Sequence, residues 1–206
     1  MVTRWLIFYI MNTTYYLGRF IFRWRWILYI AVFVPMVFIK WQETRHWLIW
    51  PIGGFLVFLG SWTRVYAARY IGWKAKPEDP MKRILTTDGP YRITRNPLYW
   101  GNIIGFGGSA VMFGLLWYIP IAVGIIFLLH HLLITWYEEN RMREKYGPVY
   151  EEYCKVVPRW GPKLSGAQPH EIRPEFPWSR VLLAELGTLA GFFGTIVLAL
   201  VKEFYL

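Results

Sequence analysis

The sequence predicts an all-α fold: a polytopic membrane helical bundle of about five transmembrane helices with a small cytosolic helical cap. Three observations predict it. The 206 residues are 55% hydrophobic and their mean hydropathy is positive. Aromatics make up 20% of the chain, 13 of them tryptophan. They bound long apolar runs, as side chains at headgroup depth do. The basic residues crowd beside those runs instead of spreading over a polar surface. A chain of this length is read as one domain, residues 1–206.

Taken in order, residues 1–23 are aromatic-rich but broken by Asn12, Thr13, Thr14 and Arg19. They read as an interfacial segment, not a span, with no small-residue cleavage site for a signal peptide. Residues 24–136 form a four-span core built from Trp24–Trp41, Trp47–Thr63, Leu98–Tyr118 and Ile119–Trp136. A span takes about 20 helical residues. Pro35 bends the first run, and Pro51, Gly53 and Gly54 mark the second for a bend or close helix packing. The join at Trp117–Ile121 has almost no loop, and Pro120 suits a helix start, so spans three and four form a tight hairpin. The stretch Lys74–Gly89, with Pro77, Pro80 and Asp88-Gly89-Pro90, reads as a loop.

Residues 137–179 are a cytosolic cap and linker. Tyr146, Tyr150 and Tyr153 recur at helical spacing, and Gly147-Pro148 splits the cap into two short helices. Residues 180–206 carry the last span, Val181–Val201. Charge sets the orientation. Of 23 Lys and Arg, four lie in residues 1–25, eight in 64–96 and eight in 138–180, all on one side of a five-span chain. The positive-inside rule assigns that side to the cytosol.

The net charge of +10 does not argue for nucleic acid, because the cations flank apolar runs, where they report topology and contact with membrane lipids. The single cysteine, Cys154, excludes an internal disulfide and a CxxC metal site. His130-His131 lies inside the fourth span without further ligands, so no metal site is expected. Glu185, a carboxylate inside the last span, stands out, since intramembrane carboxylates tend to be functional; its place near the cytosolic end leaves simple contact with water as the other reading.

The chemistry concentrates in two stretches that the hairpin brings to one face. The first is Gly89-Pro90-Tyr91-Arg92-Ile93-Thr94-Arg95-Asn96-Pro97-Leu98-Tyr99-Trp100-Gly101. Asn96 suits an N-cap and Pro97 a first helical turn, so well-anchored helix entry is one reading of it. The second is Glu138-Glu139, read as lying near a helix C-terminus, where the macrodipole disfavours negative charge. Arg92, Arg95 or a cationic ligand would offset that.

Together these stretches resemble the paired signature of the integral membrane methyltransferases, the isoprenylcysteine carboxyl methyltransferases and phospholipid N-methyltransferases. The likeness covers residues 55–162 and includes Tyr146-Gly147, Tyr150, Tyr153 and Val157-Pro158-Arg159. It implies S-adenosyl-L-methionine as methyl donor, bound by Tyr91, Arg95, Asn96, Pro97, Tyr99, Gly101, Glu138 and Glu139. It further implies a lipophilic or lipidated acceptor, either an isoprenylcysteine-type carboxylate or a phospholipid-type amine. Arg159 would lie by the transfer centre or hold a carboxylate, and Glu139 or Tyr150 would serve as base for an amine. The family's usual histidine is Asn96 here, which hydrogen-bonds but does not titrate near pH 7. Two other readings stay open: an NADPH-dependent sterol-type reductase, which shares a related arginine–proline–tyrosine signature, and a non-enzymatic lipid-binding scaffold.

Overall fold

The computed structural model describes residues 16–40, 46–71, 85–163 and 175–205. Seven helices account for most of them. These are α1 (Tyr16–Arg23), α2 (Arg25–Phe38), α3 (His46–Ile71), α4 (Pro97–Met112), α5 (Tyr118–Tyr146), α6 (Pro148–Val156) and α7 (Trp178–Tyr205). The fold is all-α, and the protein is an integral membrane protein.

Helices α3, α5 and α7 are long and apolar enough to cross a membrane, and α1 with α2 forms a bent pair, kinked by 59°, that makes up to a fourth crossing. The structure therefore trims the five expected spans. The first keeps only 14 residues in α2. Most of the 1–23 segment lies outside the described residues, as does the loop 72–84 and the linker 164–174.

The third expected span stops early. Helix α4 has 16 residues, about 24 Å of rise, and ends where Gly114 takes φ +62°. Of its residues, Phe106 and Ala110 are almost wholly buried. It is the central post of the bundle, with α3, α5 and α7 packed around it.

Glycine makes the α3–α4 contact possible. A Cβ on Gly60 would fall on the backbone nitrogen of Gly105, and one on Gly101 would sit 2.8 Å from the Gly60 carbonyl oxygen. Backbones approach this closely only where both helices carry small residues. A stack of rings fills the apolar centre: Phe106 lies 5.3 Å from Phe127 and 4.6 Å from Phe192. At the far end of α4, buried Lys202 of α7 donates to the Phe113 carbonyl at 2.9 Å. A cation there satisfies a terminal carbonyl and the negative end of the helix dipole.

Helix α5 overruns its predicted end at Trp136 by ten residues and stops at Tyr146, where Gly147 (φ +54°) closes the turn and donates to the Arg143 carbonyl. Glu138 and Glu139 thus stand about two turns inside the helix, beyond the reach of its C-terminal dipole. The sequence-based dipole argument for a cationic partner does not apply. The partner exists for another reason, set out below.

Candidate functional site

Two chain segments that are sixty residues apart are sewn together along one face. Before α4, residues Gly89–Arg92 form a 3₁₀ turn. Gly89 (φ +54°) starts it with the Tyr70 ring packed where a Cβ would be. After α6, residues Val157–Lys163 run back over this turn as a strap. Arg95 N donates to the Pro158 carbonyl at 3.0 Å, and Lys163 N donates to the Ile93 carbonyl at 2.9 Å. The Trp100 indole donates to the Trp160 carbonyl at 2.7 Å. Tyr153 of α6 donates to the Tyr91 carbonyl at 2.7 Å. Buried Leu85, Tyr150, Tyr153 and Val157 form the small apolar core beneath the strap.

Asn96 occupies the N-cap position of α4, with Pro97 after it, yet its side chain makes no cap bond. Its amide donates instead to the Arg159 carbonyl at 3.1 Å, which the Thr94 hydroxyl also reaches at 3.1 Å. The expected site is correct and its partner is not: the strap outcompetes the helix terminus. In place of a titrating group, Asn96 supplies a strap tie.

Glu139 is the electrostatic centre of the site. It is 3% exposed and accepts two hydrogen bonds from Arg159, from Nε at 2.9 Å and Nη2 at 2.7 Å. Arg95 approaches within 3.5 Å and Arg143 within 3.9 Å. One buried carboxylate thus gathers guanidinium groups from the first motif, its own helix and the strap. Bidentate arginine–carboxylate pairs are strong and geometrically specific. The Glu139 carboxylate raises the pKa of Arg159. Next along α5, Glu138 takes a short hydrogen bond from the Tyr99 hydroxyl, 2.6 Å.

A cavity of about 1170 Å³ opens between these elements. Tyr91, Arg95, Asn96, Pro97, Tyr99, Glu138, Glu139 and Tyr150 all line it. Gly101 and Arg159 are not among the lining residues. Gly101 faces α3, where Arg64 Cγ would meet its Cβ at 2.5 Å. Arg159 spends its guanidinium on Glu139 and holds the strap down. Burial, with the Glu139 carboxylate second, pushes the Tyr150 phenol up from its ordinary pKa. Burial likewise raises Tyr91 and Tyr153.

Residues outside the two motifs complete the wall. Arg64 of α3 and Glu185 of α7, 7% and 2% exposed, pair at 2.7 Å and both face the cavity. Arg64 Nη1 also donates to Asn102 Oδ1 at 2.6 Å. Asn102 Nδ2 lies 3.0 Å from His131 Nε2, and His131 Nδ1 lies 2.6 Å from the Phe127 carbonyl. Nδ1 therefore carries the proton and Nε2 accepts. Arg64 had no signal in sequence beyond its place just past the expected end of the second span at Thr63. Among the described residues, no three His, Cys, Asp or Glu side chains come together as a metal-ligand set.

The fold and site define a class: a helical membrane protein with a cavity that the polar residues of both motifs and the tyrosines of the cap line at one end. The phospholipid methyltransferase family matches over residues 49–149, from the start of α3 into α6. Over that stretch, just under half of its length, the chain is similar to that family, part of the integral membrane methyltransferases. It is also similar to the nickel-cobalt-cadmium resistance protein NccN of Alcaligenes xylosoxydans xylosoxydans, with 26% identity over 129 residues. That match covers 61% of this chain and 56% of the relative's length. No solved structure matches.

Proposed function

We propose that the protein transfers a methyl group from S-adenosyl-L-methionine to a lipophilic acceptor at the cytosolic face of its membrane. The observation that carries this reading is the closure of both motifs around a single cavity, with Glu139 tied to Arg95 and Arg159 across the join.

The residues present fit the donor. Tyr91 Oη and Arg95 Nε are buried donor atoms without a hydrogen-bond partner among the described residues, and Glu138 accepts from Tyr99 through one oxygen. Two donors and a carboxylate complement the carboxylate and ammonium of an amino-acid group. When bound, the sulfonium supplies an electrophilic methyl group. The chain's own task is then positioning, since an in-line displacement gains most from holding the reacting atoms about 3–3.5 Å apart. The Glu139–Arg159 pair keeps the strap seated against the first motif. Tyr150, whose pKa is raised, stays a neutral phenol and donates a hydrogen bond at the wall.

The cytosolic orientation rests on the charge distribution: 20 of 23 basic residues fall in 1–25, 64–96 and 138–180, the segments that the sequence assigns to one side. Titration calorimetry in lipid nanodiscs tests the reading. The donor is expected to bind at micromolar concentration, and a well-folded protein that takes up none sinks it.

A further inference from the structure

The cavity is larger than one small ligand needs. Sites for a single ligand span about 300–1,000 Å³, and this one reaches about 1170 Å³. Its far part runs away from Glu138 and Glu139 between α2 and α7. There the wall is Trp26, Ile30 and Val34 on one side and Gly187, Gly191 and Gly194 on the other. The three α2 side chains are 40–53% exposed, so this part opens sideways on the outer face of the bundle.

The α7 glycines are not needed for helix packing. A Cβ at Gly187 or Gly194 would meet nothing within 4 Å, and one at Gly191 only Phe106, at 3.9 Å. They leave a trough, whereas Gly60 and Gly101 permit a crossing. At the inner end of the trough stands Glu185. Arg64 Nε and Nη2 both bond its Oε2, at 2.8 and 2.7 Å. Both Arg64 contacts fall on Oε2, which leaves Oε1 free of Arg64 on a side chain that lines the cavity. A carboxylate oxygen facing an apolar trough gains from a donor that a ligand supplies.

We propose that α7 supplies the acceptor subsite, with the acceptor's chain in the Gly187–Gly194 trough and its amine head donating to Glu185 Oε1. This rests on the methyltransferase reading and chooses between its acceptors. A protonated or neutral amine brings N–H donors to Oε1. A carboxylate head brings none and would meet like charge. Glu185 is a positioning and specificity residue supplied from outside the family-matched segment, which ends at residue 149. Arg64, already shared among Glu185, Asn102 and the Leu98 carbonyl, holds the carboxylate in place.

Native mass spectrometry of the full chain, equilibrated with phosphatidylethanolamine or a prenyl-cysteine carboxylate, reads the subsite directly and does not require methyl transfer. The expected result is preferential retention of the amine lipid, reduced at least tenfold in Glu185→Gln, with donor affinity unchanged within twofold. Because Glu185→Gln leaves Arg64 short of its partner and can unfold the bundle, Gly191→Leu is the second variant. It fills the trough and is expected to lose the long-chain amine lipid while retaining donor binding. Equal retention of both probes by the wild type, or retention of the amine lipid by both variants, overturns the proposal. Failure of the donor to bind the wild type is a separate result, which strikes the methyltransferase reading itself.

Discussion

Glu139 meets three arginines because the chain puts one on each piece that must stay together. Glu139→Gln keeps the shape and removes the charge. It is expected to cost roughly 1.5–3 kcal/mol, typical of hydrogen bonds to charged groups, and to weaken donor binding at least tenfold. Thermal unfolding and calorimetry on the same sample check both. Tyr99→Phe deletes one 2.6 Å bond to Glu138 and is expected to cost about 1 kcal/mol, with a several-fold loss of donor affinity. The buried phenols give a pH dependence. Tyr91, Tyr150 and Tyr153 hold their protons more tightly when folded than when unfolded. Their contribution is complete below the unfolded value of about 10 and is lost as pH rises beyond it. A denaturation series from pH 8 to 12 should show stability falling on the alkaline side only. At this scale the hairpin reading and the family resemblance pointed to Glu139, Arg95 and Tyr99, which line one cavity. The sequence did not disclose that Arg159 would spend its charge on Glu139, because no local pattern links residues twenty positions apart across a helix break.

Among the elements, the α3–α4 crossing is the tightest contact and is governed by glycine. Gly60→Ala places a methyl on the Gly105 backbone, where nothing flexible can yield. Overpacking of this kind costs about 1–3 kcal/mol or more. Gly107→Ala, on the open side of α4, is expected to be neutral or slightly stabilising, since alanine is the better helix former by about 1 kcal/mol. Melting temperatures of the two variants in one detergent test the contrast. Helix existence and the Gly147-Pro148 break were legible, because apolar runs and punctuating residues are local signals. The end of α4 was not, nor was the unbroken run of α5 through Trp136 into the cap. Apolar Leu115 and Leu116 continue the run past the turn at Gly114, and the amphipathic residues after Trp136 continue a helix whose apolar stripe has already ended.

For the whole molecule, the arrangement is a membrane bundle whose cavity is lined at one end by the two motifs and the cap helix and opens sideways along α2. Incubating the reconstituted protein with labelled donor and total membrane lipid should place label in lipid, and mass spectrometry should find it on a headgroup. Labelled product should disappear in Glu139→Gln. The meeting of the two motifs at one face was legible from the short hairpin and the charge distribution. The buried Arg64–Glu185 pair joining α3 to α7 was not, because it depends on how four helices are arranged in three dimensions. The bond from Lys202 to the end of α4 also bears on how the protein is made. Helix α4 is the centre of the bundle and too short to be secure in lipid alone, and the side chain that finishes its far end comes from α7, 89 positions further along the chain. That carbonyl stays without this donor until α7 has been made and inserted. The bundle therefore closes around its middle helix only once α7 is in place, and Lys202→Met, which removes the donor, should be felt at the protein's centre.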